Sequence, residues 1–150
     1  MHIKDICRRS VVTCHRQLSA DRVAQLMRDQ FAEDVVVVDD RPGGPVPVGV
    51  VTFRDMVVRV VANRAIAEQT SAADIMTSAP ETLHESELIY TAIARMQSKK
   101  VSRLVVVDAH GSLVGVLTAD DVADFLASEL TEVVRISPHR VGGDSKPSRR

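Results

Sequence analysis

Apolar residues recur along this chain in two alternating patterns. Val23, Leu26 and Met27 fall at three- and four-residue spacing, as do Ala92, Ile93 and Met96. That period places each set on one face of a helix. Each set precedes an unbroken apolar run, Val35–Val38 and Leu104–Val107, the pattern of a strand covered on both faces. A turn containing Gly or Pro then leads to a second strand, Val46–Val51 or Leu113–Leu117. A further helix closes each pattern. Its apolar positions are Phe53, Met56, Val57, Val60 and Val61 in one case, and Val122, Ala123, Phe125, Leu126 and Leu130 in the other.

The two patterns are copies of one unit. DICRRSVVTCH from Asp5 lies over DIMTSAPETLH from Asp74 at an offset of 69 residues, which also places Met27 on Met96 and VVVVD on LVVVD. A longer turn in the first copy lowers the offset to 66, and GVVTFRD (Gly49–Asp55) then falls on GVLTADD (Gly115–Asp121). The expected class is therefore α/β (α+β), with tandem β-α-β-β-α repeats. Residues 1–68 form the first repeat, 69–132 the second and 133–150 a flexible basic tail. Alone, a unit of about 60 residues buries too little surface for firm stability, so the two small sheets, or their edges, are expected to pack together.

Composition narrows the function. Apolar residues make up 45% of the 150 and aromatics only 3%. That composition suits a folded, β-branched core and supplies few platforms for stacking bases. A net charge of -1 gives no electrostatic case for nucleic acid. No apolar stretch is long enough to span a bilayer, and MHIKDICRRS lacks the apolar segment of an export signal. The expected location is the cytoplasm. Residues 136–150 carry Arg140, Lys146, Arg149 and Arg150 against Asp144, while residues 69–135 hold five basic and ten acidic side chains. The tail is thus a candidate to lie on its own acidic half, to dock weakly elsewhere, or simply to fray.

The most informative residues are Thr52, Asp55, Thr118 and Asp121. Each Thr stands at a strand-to-helix junction with an Asp three residues on, the spacing of a capping box. That structural role alone accounts for all four. The same arrangement also suits a nucleotide: a hydroxyl and free N–H groups at a helix start meet phosphate oxygens, and a carboxylate can accept from both ribose hydroxyls.

The DIC and DIM lead-ins, the VVVVD and LVVVD strands and the repeated G-h-h-T-x-x-D together resemble the CBS-domain pair, or Bateman module, over about residues 3 to 130. The resemblance implies two repeats packed through their sheets about a pseudo-two-fold axis, leaving two clefts that bind AMP, ADP, ATP or S-adenosylmethionine. It implies ribose contacts for Asp55 and Asp121, with Thr52 and Thr118 near phosphate. It places a phosphate-facing cation at Arg103, where the first repeat has Asp34. The Thr118–Asp121 cleft is therefore the expected occupied site. Asp120 is expected to face solvent. With few convergent cations, AMP is expected ahead of ATP.

Other signals are weaker. Cys7 and Cys14 align with Met76 and Leu83 and read as small core residues. His15 and His84 are equivalent and expected at strand ends, Ser19 and Ser86 are candidate helix caps, Lys99 and Lys100 are expected at a helix C-terminus, and Gly43-Gly44 reads as a turn. No residues form an acid, base and nucleophile set, and no Cys or His spacing suggests a metal. The chain is thus expected to be a non-catalytic regulatory sensor, with no required cofactor and an unidentified client protein, and the resemblance implies a homodimer. The rival expectation is a ligand-free dimerisation or interaction platform.

Overall fold

The computed structural model describes residues 1–136. The first repeat runs through β1 (Thr13–Cys14), α1 (Ala20–Gln30), β2 (Asp34–Arg41), β3 (Gly44–Thr52) and α2 (Phe53–Asp55), which continues as a π-helix over Met56–Val61. A connector containing α3 (Ala72–Ile75) and β4 (Thr77–Ser78) leads to the second repeat: β5 (Thr82–His84), α4 (Ile89–Lys99), β6 (Arg103–Val107), β7 (Leu113–Thr118) and α5 (Ala119–Ile136). The tandem β-α-β-β-α architecture is thus present. Helix α5 reaches Ile136, into the segment expected to be tail, and the expectation of a flexible arm otherwise falls on residues 137–150, outside the described residues.

In each repeat the first strand pairs parallel with the second, and the second antiparallel with the third. Both antiparallel pairs shift register once, between Val37 and Val38 and between Val106 and Val107. Each strand run is buried because its alternating side chains serve different cores. Val35 and Val37 pack beneath α1 with Val23 and Met27, while Leu104 and Val106 pack beneath α4 with Ala92 and Met96. The opposite faces meet each other, and Val36, Val38, Val50, Val105 and Val116 form the core between the sheets. This is the burial that one repeat alone lacks.

The repeats also exchange their lead-in segments. β4, which precedes the second repeat, pairs antiparallel with β3 of the first. Reciprocally, Arg8 bridges to Val116 in β7, each N–H donating to the other's carbonyl at 2.9 Å. Ile3 lies in the second repeat's core, and Ile75 and Met76 in the first repeat's. The Asp of each lead-in holds a tight turn, accepting from the His2 N–H at 3.1 Å (Asp5) or the Ser71 N–H at 2.9 Å (Asp74).

This exchange explains the repeated glycine. A Cβ at Gly49 would lie 2.3 Å from Met76 Sδ, and one at Gly115 would lie 2.5 Å from the Arg8 carbonyl and 3.1 Å from Cys7 Sγ. Each glycine admits the crossed-over lead-in. The minor expectations divide. Cys14 is buried, which pushes its thiol up to about 11. Cys7 is half-buried. Pro42 and Gly43 make the turn between β2 and β3, and Lys100 ends α4 in the left-handed conformation. Ser19 holds the N-cap position of α1, but its hydroxyl donates to Asp21. Ser86 is not a cap: Leu88 occupies that position of α4, and the Ser86 hydroxyl pairs with His84 Nδ1 at 2.7 Å. His15 instead meets Asp40 at 3.0 Å.

Backbone cannot retreat as a thioether can. Gly115→Ala is therefore expected to destabilise the protein more than Gly49→Ala, by about 1–3 kcal/mol in the range typical of overpacking. Denaturant melts of the two variants check this, and an equal or smaller loss for Gly115→Ala would refute the account.

Candidate functional site

The strand-to-helix junctions are built as capping boxes. In the first repeat the Thr52 N–H and hydroxyl donate to Asp55 Oδ2 at 2.8 and 3.0 Å, and the Asp55 N–H donates back to Thr52 Oγ1 at 3.3 Å. In the second, Thr118 donates to Asp121 Oδ2 at 2.9 and 2.7 Å and accepts from the Asp121 N–H at 3.2 Å. Each carboxylate has a remaining oxygen that faces an arginine. Arg59 Nε lies 3.5 Å from Asp55 Oδ1. Arg8 Nε donates to Asp121 Oδ1 at 2.8 Å, and its Nη2 donates to Thr118 Oγ1 at 3.2 Å. Burial alone would raise the Asp121 pKa, but the Thr118 and Arg8 hydrogen bonds outweigh it and hold the carboxyl below its ordinary value.

Each Thr borders a cavity. One, of about 530 Å³, lies between the Thr118 junction, the Arg8–Val12 lead-in and residues 30–34. The other, of about 480 Å³, lies between Thr52, residues 77–81 and residues 100–103. The two are related by the repeat. Arg8, Phe31, Asp34 and Thr118 in the first correspond to Thr77, Lys100, Arg103 and Thr52 in the second. Each cleft therefore draws its strand-to-helix junction from one repeat and its helix-to-strand turn from the other.

That construction alters the charge expected at the clefts. Asp34 opens a strand that pairs with Thr52, yet it lines the Thr118 cleft, and Arg103 lines both clefts. The two are ion-paired through Arg103 Nε and Asp34 Oδ2, buried atoms that have no other hydrogen-bond partner among the described residues. Arg103 thus gives the Thr118 cleft no cation that the other lacks. Asp120, expected to face solvent, is exposed but borders the Thr118 cleft. Sequence reasoning missed Arg8 altogether. Its place is set by the lead-in exchange, which leaves no local signal in the chain.

The CBS domain model matches residues 3–62 and 72–128. The chain belongs to the CBS domain family and carries a tandem pair of these domains. Such domains are typically regulatory modules that bind adenosine nucleotides. An uncharacterised protein of Methanopyrus kandleri is 31% identical over 80% of this chain and 60% of its own length. A CBS domain protein of Pyrobaculum aerophilum, solved with AMP, superposes with a TM-score of 0.73 at 27% identity, covering 90% of this chain and 99% of that one. A CBS domain pair solved with 5′-methylthioadenosine and S-adenosylmethionine gives a TM-score of 0.71 at 25% identity, covering 84% and 99%. The chain spans 60%, 41% and 22% of the lengths of the first curated relatives it matches. Among the described residues, no helix is long and apolar enough to cross a membrane, and no cluster of three or more His, Cys, Asp or Glu side chains is placed to hold a metal.

A carboxyl whose pKa is lowered by folding stabilises the folded state above its unfolded pKa and loses that contribution as pH falls through the folded one. Wild-type protein is therefore expected to lose its stability advantage over Asp121→Asn as pH drops below about 4. Thermal melts of both proteins across that range test this, and a constant difference in Tm contradicts it.

Proposed function

We propose that this chain is a non-catalytic regulatory sensor of adenosine nucleotides. The observation that carries the reading is the pair of equivalent cavities, each built from both repeats and bordered by the Thr of a helix start, with the paired Asp hydrogen-bonded just behind it. In this reading Asp55 and Asp121 take ribose hydroxyls, Thr52 and Thr118 lie near phosphate, and Arg103 stands between the clefts. AMP is the proposed ligand, with ADP, ATP and S-adenosylmethionine as alternatives. The AMP held by the Pyrobaculum relative supports that choice. Ribose would compete with Arg8 for Asp121 Oδ1. Arg8 is 62% exposed and Asp121 17%, so water takes up the released guanidinium while the ribose hydroxyls replace its hydrogen bond to the more buried carboxylate.

The chain is further proposed to act in the cytoplasm as a homodimer that reports to a client protein. Supporting the dimer, Phe53, Val57, Val61, Leu126 and Leu130 stand exposed on α2, its π-helical extension and α5. The sequence pattern offered these as the apolar positions of two helices, but only Val60 and Val122 of the two sets are buried. This exposed apolar surface also favours the second reading, a ligand-free dimerisation or interaction platform. Satisfied capping boxes require no ligand and are compatible with it.

Calorimetry with AMP, ADP, ATP and S-adenosylmethionine separates the readings. Binding heat and a raised Tm are expected for AMP, and silence with all four ligands would leave the platform. Asp121→Ala or Asp55→Ala is expected to weaken ligand by about tenfold or more, the loss of a hydrogen bond to a charged group. Undiminished affinity in both variants would remove the ribose contact. Leu130→Glu is expected to shift a dimer to monomer in sedimentation, and an unchanged mass would place any dimer contact elsewhere.

A further inference from the structure

The clefts match in backbone and oppose each other in charge. At the Thr118 cleft, Arg8 is engaged by Asp121 and Arg103 by Asp34, and a ribose that frees Arg8 still leaves three lining carboxylates, Glu33, Asp34 and Asp120, against two arginines. The Glu33 and Asp120 side chains line the same cleft and are exposed, and no described residue forms an ion pair or hydrogen bond with either. The Thr52 cleft reverses this. The one carboxylate in its lining, Glu81, lies 3.5 Å from Lys99 Nζ. Lys100 is exposed at its rim with no such partner among the described residues.

The equivalent turn positions sharpen the contrast. Phe31 and Lys100 each follow a central helix in the left-handed conformation, at φ 51° and 55°. The same backbone therefore presents an aromatic ring, 96% exposed, at one cleft and an ammonium at the other. A phosphate monoester carries close to two negative charges at neutral pH, so unpaired carboxylates repel it and a free ammonium attracts it. An aromatic face beside carboxylates instead suits a cation.

We propose that the clefts select ligands of opposite charge. The Thr52 cleft takes a phosphate-bearing adenosine nucleotide, with Lys100 as its discriminating residue. The Thr118 cleft takes a phosphate-free adenosyl ligand bearing positive charge, with Phe31, Glu33 and Asp120 discriminating. This rests on the adenosine-ligand reading above; it keeps ribose at Asp55 and Asp121 but leaves phosphate to Thr52 alone, away from the cleft favoured by the sequence. The two ligand types then bind together rather than compete.

Calorimetry on the full chain, with AMP and S-adenosylmethionine as probes, tests the division. Each probe is expected to bind with its affinity unchanged when the other is saturating. Lys100→Glu is expected to weaken AMP by about tenfold or more, the scale of one reversed charge near a surface, and to leave S-adenosylmethionine within about twofold. The double variant Glu33→Gln, Asp120→Asn is expected to show the converse. All three positions are exposed, so the fold tolerates the changes. Mutual displacement of the probes at one shared site, or equal weakening of both by Lys100→Glu, overturns the division while the adenosine reading stands. Failure of both probes to bind the wild type overturns the two together.

Discussion

The sheet-to-sheet contact and the exchange of lead-ins act as one constraint. The valines at 36, 38, 50, 105 and 116 hold the inner faces together, while residues 3–8 and 72–78 cross over to complete the opposite sheets. A repeat excised at its sequence boundary would lose its own third core wall and also surrender Ile3, or Ile75 and Met76, to no partner. The two copies therefore form one folding unit, although the chain reads as two. The clefts follow directly, since each lies where a crossed lead-in passes between a strand-to-helix junction of one repeat and a helix-to-strand turn of the other.

Equivalent residues that touch must lie on the axis relating the copies. Two equivalent pairs, each 69 residues apart, meet this condition: first Asp34 with Arg103, then Val36 and Val105, which lie together in the shared core. Identical charges at the first position would repel across the axis, so divergence to one acid and one base relieves a conflict inherent in duplication. The pair is largely shielded, with about a quarter of each side chain exposed. Removing one partner would leave the other charge poorly solvated and without compensation.

Much of this was legible because it is local. Helix and strand periods, the 69-residue offset and the Thr-x-x-Asp spacing all depend on near neighbours, and they yield the repeats and both capping boxes. What stayed hidden depends on which repeat a side chain serves. Asp34 and Arg103 were readable as unequal partners of two clefts, but only the crossing shows that Asp34 faces the Thr118 cleft and that Arg103 touches both. Arg8 could not be found, because its partner is 113 residues away. Helical period likewise marked Phe53, Val57 and Leu130 as apolar, but period does not say whether the covering surface belongs to the same chain.

A sensor must hold its ligand unequally in two conformations, since equal affinity shifts no population. The arginines facing the two ribose-accepting carboxylates differ in what they hold. Arg8 reaches Asp121 from a lead-in already fixed to β7 by two backbone bonds, so losing that ion pair leaves the lead-in attached. Arg59 lies on the π-helical continuation of α2, four residues past Asp55, and its Nη1 also donates to the Met76 carbonyl at 2.9 Å. That arginine ties the helix to the crossed lead-in. A ribose competing for Asp55 therefore acts on a residue that holds two segments together, while one competing for Asp121 acts on a side chain alone. Of the two clefts, the Thr52 cleft has the more direct mechanical path from occupancy to the exposed apolar surface at Val57 and Val61.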